Sequence, residues 1–150
     1  MKRLAAMTCA HLDEVLAIER VSFPTPWTKA AFTHEIMNNE FACYIVALDG
    51  NKVIGYCGMW VIVDEAHITT LAVHPDYRRQ GIAREMLKEM CNEALYRGCR
   101  RMTLEVRLSN HGAIKLYEKV GFVSCGLRPG YYTDTKEDAI IMWKDDLKEV

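Results

Sequence analysis

The stretch Leu71 to Arg84, LAVHPDYRRQGIAR, constrains this chain more than any other. Leu71, Ala72 and Val73 end an apolar strand. His74-Pro75-Asp76 stops it, because proline cannot donate a ladder hydrogen bond and biases the residue before it away from helix. Arg78-Arg79-Gln80-Gly81-Ile82-Ala83 then opens a helix predicted from Gln80 to about Arg97. A helix start carries unpaired N–H groups and the positive end of the macrodipole, so it attracts phosphate. Gly81 and Ala83 leave the backbone approachable, and Arg78, Arg79 and Arg84 add charge at the same end. These residues alone equally allow an ordinary strand–turn–helix with exposed arginines.

The other elements follow from periodicity and punctuation. A short strand is predicted over Arg3–Met7. Thr8 is predicted to cap a helix through about Val21, and Thr28 a second through about Met37. The prolines of Ser22–Trp27 exclude regular structure there. Tyr44–Leu48 and Val53–Val63 form a hairpin around Asp49-Gly50, and Ala66–Val73 follows. Arg101–Arg107 alternates, with Met102, Leu104 and Val106 on one side. Asn110 caps a helix ending at Gly121, and Phe122–Leu127 and Ala139–Trp143 complete the strands. Hairpins first, then strands alternating with helices, predict one mixed sheet covered by helices, an α/β sandwich.

The 150 residues suit a single domain with a real core. A net charge of −1 supplies no field for nucleic acid or an anionic membrane. No apolar run reaches membrane-spanning length, and Asp13 and Glu14 interrupt any signal-peptide h-region. The six cysteines include no CxxC, and most have apolar surroundings, so buried thiols are expected. The five histidines show no HxxxH spacing, and no metal is expected.

Arg78-x-x-Gly81-x-Ala83 after LAV resembles the acyl-coenzyme A pyrophosphate loop of the GNAT N-acetyltransferases. Downstream, Leu104-Glu105-Val106-Arg107, Ser109-Asn110, Ala113-Ile114-x-Leu116-Tyr117-x-x-x-Gly121-Phe122, Tyr131-Tyr132 and Glu137-Asp138-Ala139 stand in the family's order. Together they resemble the RimI-type subfamily, the ribosomal-protein-alanine N-acetyltransferases, from about Phe23 to Met142. The resemblance implies a GNAT fold: a mixed central sheet with splayed middle strands, flanked by about four helices, in one domain over 1–150. It implies acetyl-CoA as co-substrate, held by Leu71, Ala72, Val73, Arg78, Arg79, Gln80, Gly81, Ile82, Ala83, Arg84, Asn110 and Tyr117. The implied acceptor is a protein N-terminal α-amine, an alanine of a small-subunit ribosomal protein, and the implied enzyme is a cytoplasmic monomer.

For chemistry, the resemblance makes Glu105 the general base and Tyr117 the acid that protonates the thiolate. From alternation alone Glu105 could be a solvated strand carboxylate, and from helical spacing Tyr117 could be a core aromatic. Phe23, Pro24, Trp27, Tyr131 and Tyr132 would wall the acceptor or simply pack loops onto the core. His67 and His74 are expected to be satisfied or exposed bystanders. Two departures stand out: Ala83 replaces a frequent glycine, and Thr135-Lys136 stand where a glycine often precedes Glu137-Asp138. Two other functions remain open at this point, acetylation of a lysine or small-molecule amine and non-catalytic acyl-CoA sensing.

Overall fold

The computed structural model describes residues 2–148. Among them run β1 (Lys2–Ala6), α1 (Leu12–Ser22), α2 (Lys29–Met37), β2 (Ala42–Asp49), β3 (Lys52–Ile62), β4 (Glu65–Val73), α3 (Ile82–Tyr96), β5 (Arg101–Arg107), α4 (His111–Val120), β6 (Val123–Tyr132) and β7 (Glu137–Lys144). The strands form one mixed sheet in the order β1-β2-β3-β4-β5-β7-β6. β4 and β5 pair parallel, while β1–β2, β2–β3, β5–β7 and β6–β7 pair antiparallel. Among the described residues, the β4–β5 register covers Glu65↔Arg101, Ala66↔Met102 and His67↔Thr103. β4 then continues to Val73 and β5 to Arg107, the short register expected of middle strands that part.

The chain divides into two compact units, Met1–Trp60 with Thr69–Leu87, and Val61–Ile68 with Lys88–Val150. In the first, α1 buries Leu12, Val15, Leu16 and Ile18 together with Phe32, Tyr44, Val46, Val53 and Tyr56. Each fully buried large side chain contributes roughly 1.5–3 kcal/mol. Two buried carboxylates organise the aromatics. Glu19 accepts from the Tyr56 hydroxyl and, at 2.9 Å, from the Trp27 N–H. Glu35 accepts from the Tyr44 hydroxyl at 3.0 Å, from Asn39 at 2.8 Å and from the Trp60 indole. Gly58 faces Tyr44 across β2–β3, and an added Cβ would stand 2.2 Å from the ring. Only glycine lets that ring lie flat against the strand.

The second unit buries Met90, Cys91, Ala94, Met102, Leu104, Val106, Val120, Phe122, Ala139 and Met142. β5 alternates as its sequence predicts: Met102, Leu104 and Val106 are buried, while Thr103, Glu105 and Arg107 take the other face. Asn110 Oδ1 accepts from Ala113 N–H at 3.2 Å, and Gly121 ends α4 at φ +111°.

Several boundaries differ from the sequence-based expectation. His11 N–H returns to the Thr8 carbonyl at 3.0 Å, so Cys9–His11 is a 3-10 turn and α1 starts at Leu12. The register Asp49↔Lys52 leaves Gly50-Asn51 as the hairpin turn, with Gly50 at φ +60°. α3 begins at Ile82 rather than Gln80, because Arg79 and Gly81 adopt φ +64° and +78°. Tyr131 and Tyr132 end β6 rather than lie in a loop; the strand absorbs Pro129-Gly130 through an irregular register between Arg128 and Tyr132. Three cysteines are buried, Cys57, Cys91 and Cys99, whereas Cys9 and Cys125 are exposed.

Candidate active site

In the first unit β4 hands over to a loop fixed by short contacts. His74 N–H donates to the Ile54 carbonyl at 2.8 Å, and His74 Nδ1 accepts from Asp76 N–H. Arg78 folds back, its Nε donating to the Val73 carbonyl at 3.1 Å and its terminal nitrogen reaching Ser22 Oγ at 3.4 Å. Arg78 therefore pins the strand end instead of pointing away from it. Arg79 and Gly81 are left-handed and alternate with Gln80, and a backbone of alternating hand turns successive N–H groups into an anion-binding concavity.

The first intrahelical bond here joins Glu85 N–H to the Gly81 carbonyl at 3.0 Å. The N–H groups of Ile82, Ala83 and Arg84 lie ahead of it and are available to a ligand by helix geometry. A Cβ added at Gly81 would meet nothing within 4 Å, so the space above this backbone is open. The loop thus fits a pyrophosphate. Ala72 and Ile82 are buried and can offer only backbone groups, whereas Arg79, Gln80 and Arg84 are exposed. Gln80 is already engaged, accepting from Lys2 Nζ at 2.5 Å. Phe23 and Trp27 pack onto the core beside Phe32 and Tyr44, and Pro24 is exposed.

The second unit holds the titratable groups. The Glu105 side chain is only 9% exposed, so it is not the solvated carboxylate that alternation allowed. Its Oε2 meets His67 Nε2 at 2.6 Å, and its Oε1 lies 3.9 Å from the Arg128 guanidinium. The hydrogen bond from His67 holds the Glu105 pKa below the usual carboxylate range, against the opposing effect of burial; the charges of His67 and Arg128 act in the same direction. Glu105 is therefore ionised at neutral pH.

Tyr131 and Tyr132 stack edge to face, centroids 5.1 Å apart. Burial raises both hydroxyls, Tyr132 up to about 12, and the negative charge of Glu105 adds to the rise. Arg107 lies 4.0 Å over the Tyr132 ring and forks onto Asp134, with Thr135 Oγ1 at 2.9 Å. Lys136 takes φ +58°, a left-handed geometry that favours glycine. Glu137 accepts from Ser109 N–H and Asp138 from Gly130 N–H, both at 2.8 Å, so this carboxylate pair ties β7 to the segments on either side. Tyr117 is buried on α4 with its ring 5.8 Å from Phe122, and Asn110 is the helix cap already described.

His67 and Arg128 were not singled out as site residues by sequence. A signal existed for His67: Ala66, Ile68, Thr70 and Ala72 are buried, so alternation places His67 on the opposite face of β4. Pairing of β4 with β5 then brings it to Glu105. No such signal marks Arg128. Among the described residues, no group of three or more His, Cys, Asp or Glu side chains could hold a metal ion.

Comparison with known proteins places these features in context. The family model described as the acetyltransferase (GNAT) family matches residues 12–122. A protein of Bacillus subtilis (strain 168), provisionally named a ribosomal protein bS18-alanine N-acetyltransferase, is 44% identical over 149 residues, covering 95% of this chain and 97% of its own. The ribosomal protein bS18-alanine N-acetyltransferase of Escherichia coli (strain K12) is 35% identical over 144 residues, covering 95% and 96%. The crystal structure of the ribosomal-protein-S18-alanine N-acetyltransferase from Escherichia coli superposes with a TM-score of 0.86 at 34% identity, over 95% of this chain and 92% of that one.

Proposed function

The chain belongs to the acetyltransferase (GNAT) family, and from that premise we propose that it acetylates the N-terminal α-amine of a protein, the alanine of ribosomal protein bS18. It is an acetyl-CoA-dependent N-acetyltransferase. The acceptor is taken from the names of its relatives, and the site residues from the motif match. The backbone of Arg79 to Arg84 holds the pyrophosphate, the β4 residues Leu71 to Val73 hold the pantetheine arm, and Asn110 and Tyr117 complete the cofactor's contacts.

Glu105 takes a proton from the acceptor ammonium, directly or through water. The freed amine nitrogen bonds to the thioester carbonyl carbon, the carbon–sulfur bond breaks, and the Tyr117 hydroxyl gives its proton to the leaving thiolate. Backbone N–H of Ala72 or Val73 serves the developing oxyanion. Exposed Tyr131, with Tyr132, Phe23, Pro24 and Trp27, lines the acceptor's path.

One observation carries this assignment: Glu105 is withdrawn from water yet held ionised. A modest base of that kind suits an α-ammonium of pKa ~8, while a lysine at ~10.4 needs ~3 kcal/mol more. We further propose that residues 1–150 act as one domain, as a monomer, in the cytoplasm, without nucleic acid. No described helix is long and apolar enough to cross a membrane.

The test is mass spectrometry of peptides incubated with acetyl-CoA. A peptide with a free N-terminal alanine should be acetylated there, and the same peptide blocked at its N-terminus but retaining lysine should be a poor substrate. Equal rates for the two would favour a lysine acceptor, and no turnover of any amine would favour an acyl-CoA sensor.

A further inference from the structure

His67 sits on β4 at the last paired position of the parallel ladder, opposite Thr103. Two residues beyond Thr103 on the same face of β5 stands Glu105. The register therefore aims the imidazole of one strand at the carboxylate of the next, and Nε2 meets Oε2 at 2.6 Å. The two side chains differ in exposure: 33% for His67 against 9% for Glu105. A carboxylate this buried needs a partner for each oxygen. Oε2 has a short, direct one. Among the described residues, Oε1 is met by the more distant Arg128 guanidinium at 3.9 Å.

We infer that His67 is the positioning residue of the base: its Nε2–H holds Oε2, fixes the plane of the Glu105 carboxylate and leaves Oε1 as the oxygen that takes the acceptor's proton. The inference rests on Glu105 being the base. With the imidazole donating from Nε2 to Oε2, the pair needs no proton on Glu105. A carboxylate held by one oxygen has its second lone-pair set directed by the first, as an orienting partner does for a catalytic histidine. Loss of that partner lets the carboxylate rotate about its last bond, and small misplacements of a reacting group carry large rate costs.

Among the described residues, the groups facing Glu105 include His67 from β4, Arg128, Tyr131 and Tyr132 from β6, and apolar Ile141 opposite it on β7. Of these, His67 through its hydrogen bond is the first cause of the lowered Glu105 pKa, and Arg128 is 55% exposed and screened by water. Removing His67 therefore leaves burial largely unopposed, and the base should become protonated at a higher pH. A purely structural histidine would lower stability without moving that ionisation.

The experiment measures kcat/KM against pH for His67→Ala, His67→Gln, Glu105→Gln and the His67→Ala/Glu105→Gln double variant, with thermal melts of each. His67→Ala should lose about tenfold or more at neutral pH, the scale expected of a misplaced reacting group. Its acid limb should also move toward higher pH, because the Glu105 pKa rises when the His67 hydrogen bond is lost. His67→Gln, whose amide nitrogen can donate from a similar place, should recover most of the activity. In the Glu105→Gln background, His67→Ala should cost nothing further. A wild-type profile for folded His67→Ala, or losses that multiply in the double variant, would overturn the inference while leaving Glu105 as base. Full activity of Glu105→Gln alone would instead remove the base itself, and with it the reason for positioning it.

Discussion

Glu19 in α1 and Glu105 in β5 are both carboxylates withdrawn from water, and each is met by partners from two directions. Glu19 is met by a tyrosine hydroxyl and a backbone amide, donors without charge. Glu105 is met by an imidazole and a guanidinium. Burial raises the pKa of Glu19, and its two hydrogen bonds do not offset that rise. At Glu105 the balance falls the other way, and the pKa is lowered. Desolvation is the largest influence on Glu19, whereas at Glu105 the short hydrogen bond from His67 comes first and, with nearby positive charge in support, outweighs it. The same residue type thus anchors a core in one unit and is held ionised in the other.

The largest expected effect separates these two residues. Glu105→Gln keeps the shape and removes the base, so kcat/KM should fall about 10²-fold or more with little change in melting temperature. Glu19→Gln should leave turnover close to wild type. The reverse outcome in a steady-state assay would break the comparison.

Two buried tyrosines extend it. Tyr117→Phe should lower kcat roughly 10²-fold at near-normal stability, the lower range for a lost general acid. Tyr56→Phe should instead leave kcat intact and cost about 1–3 kcal/mol in urea unfolding, because it takes a donor from buried Glu19. Wild-type turnover in Tyr117→Phe, with chemistry rate-limiting, would make that residue a core aromatic as well.

The third prediction asks whether the first unit is scaffold alone. Gly81→Val places a branched side chain at φ +78° in the open space above the loop. Coenzyme A affinity by calorimetry should fall by about tenfold or more, from backbone strain and obstruction of the phosphate site. Unchanged affinity in a folded variant would move the cofactor elsewhere.

The smallest effect is in stability against pH. A lowered folded pKa, as at Glu105, gives stability present above the unfolded value of ~4.3 and lost as pH falls through the folded one. A raised pKa, as at Glu19, gives stability present below ~4.3 and lost as pH rises toward the folded value. Relative to wild type, Glu19→Gln should therefore gain stability between acidic and neutral pH, and Glu105→Gln should lose it. Urea midpoints at both ends of the range measure the sign.

Much of this was legible from local rules. Alternation put Glu105 opposite Leu104 and Val106, and Thr28, Asn110 and Gly121 marked helix ends where the structure has them. What escaped were features without local signals. Glutamine is a good helix former, so the sequence predicts the helix from Gln80, although Arg79 and Gly81 on either side of it are left-handed. The sequence predicts a strand only to Leu127, yet β6 continues past Pro129-Gly130 through an irregularity to Tyr132. The His67–Glu105 contact joins residues 38 apart in sequence and depends on the parallel register of two strands, which neither strand's own pattern states.

The account turns on the opposite polarisation of the two carboxylates, and their titration can be watched directly. The measurement is an NMR titration of the δ-carboxyl carbons of isotope-labelled glutamate, with Glu19→Gln and Glu105→Gln used to assign the two signals. Glu105 should change form below the ordinary glutamate midpoint of ~4.3 and Glu19 above it. A Glu105 midpoint at or above that value, or a Glu19 midpoint at or below it, would contradict the account.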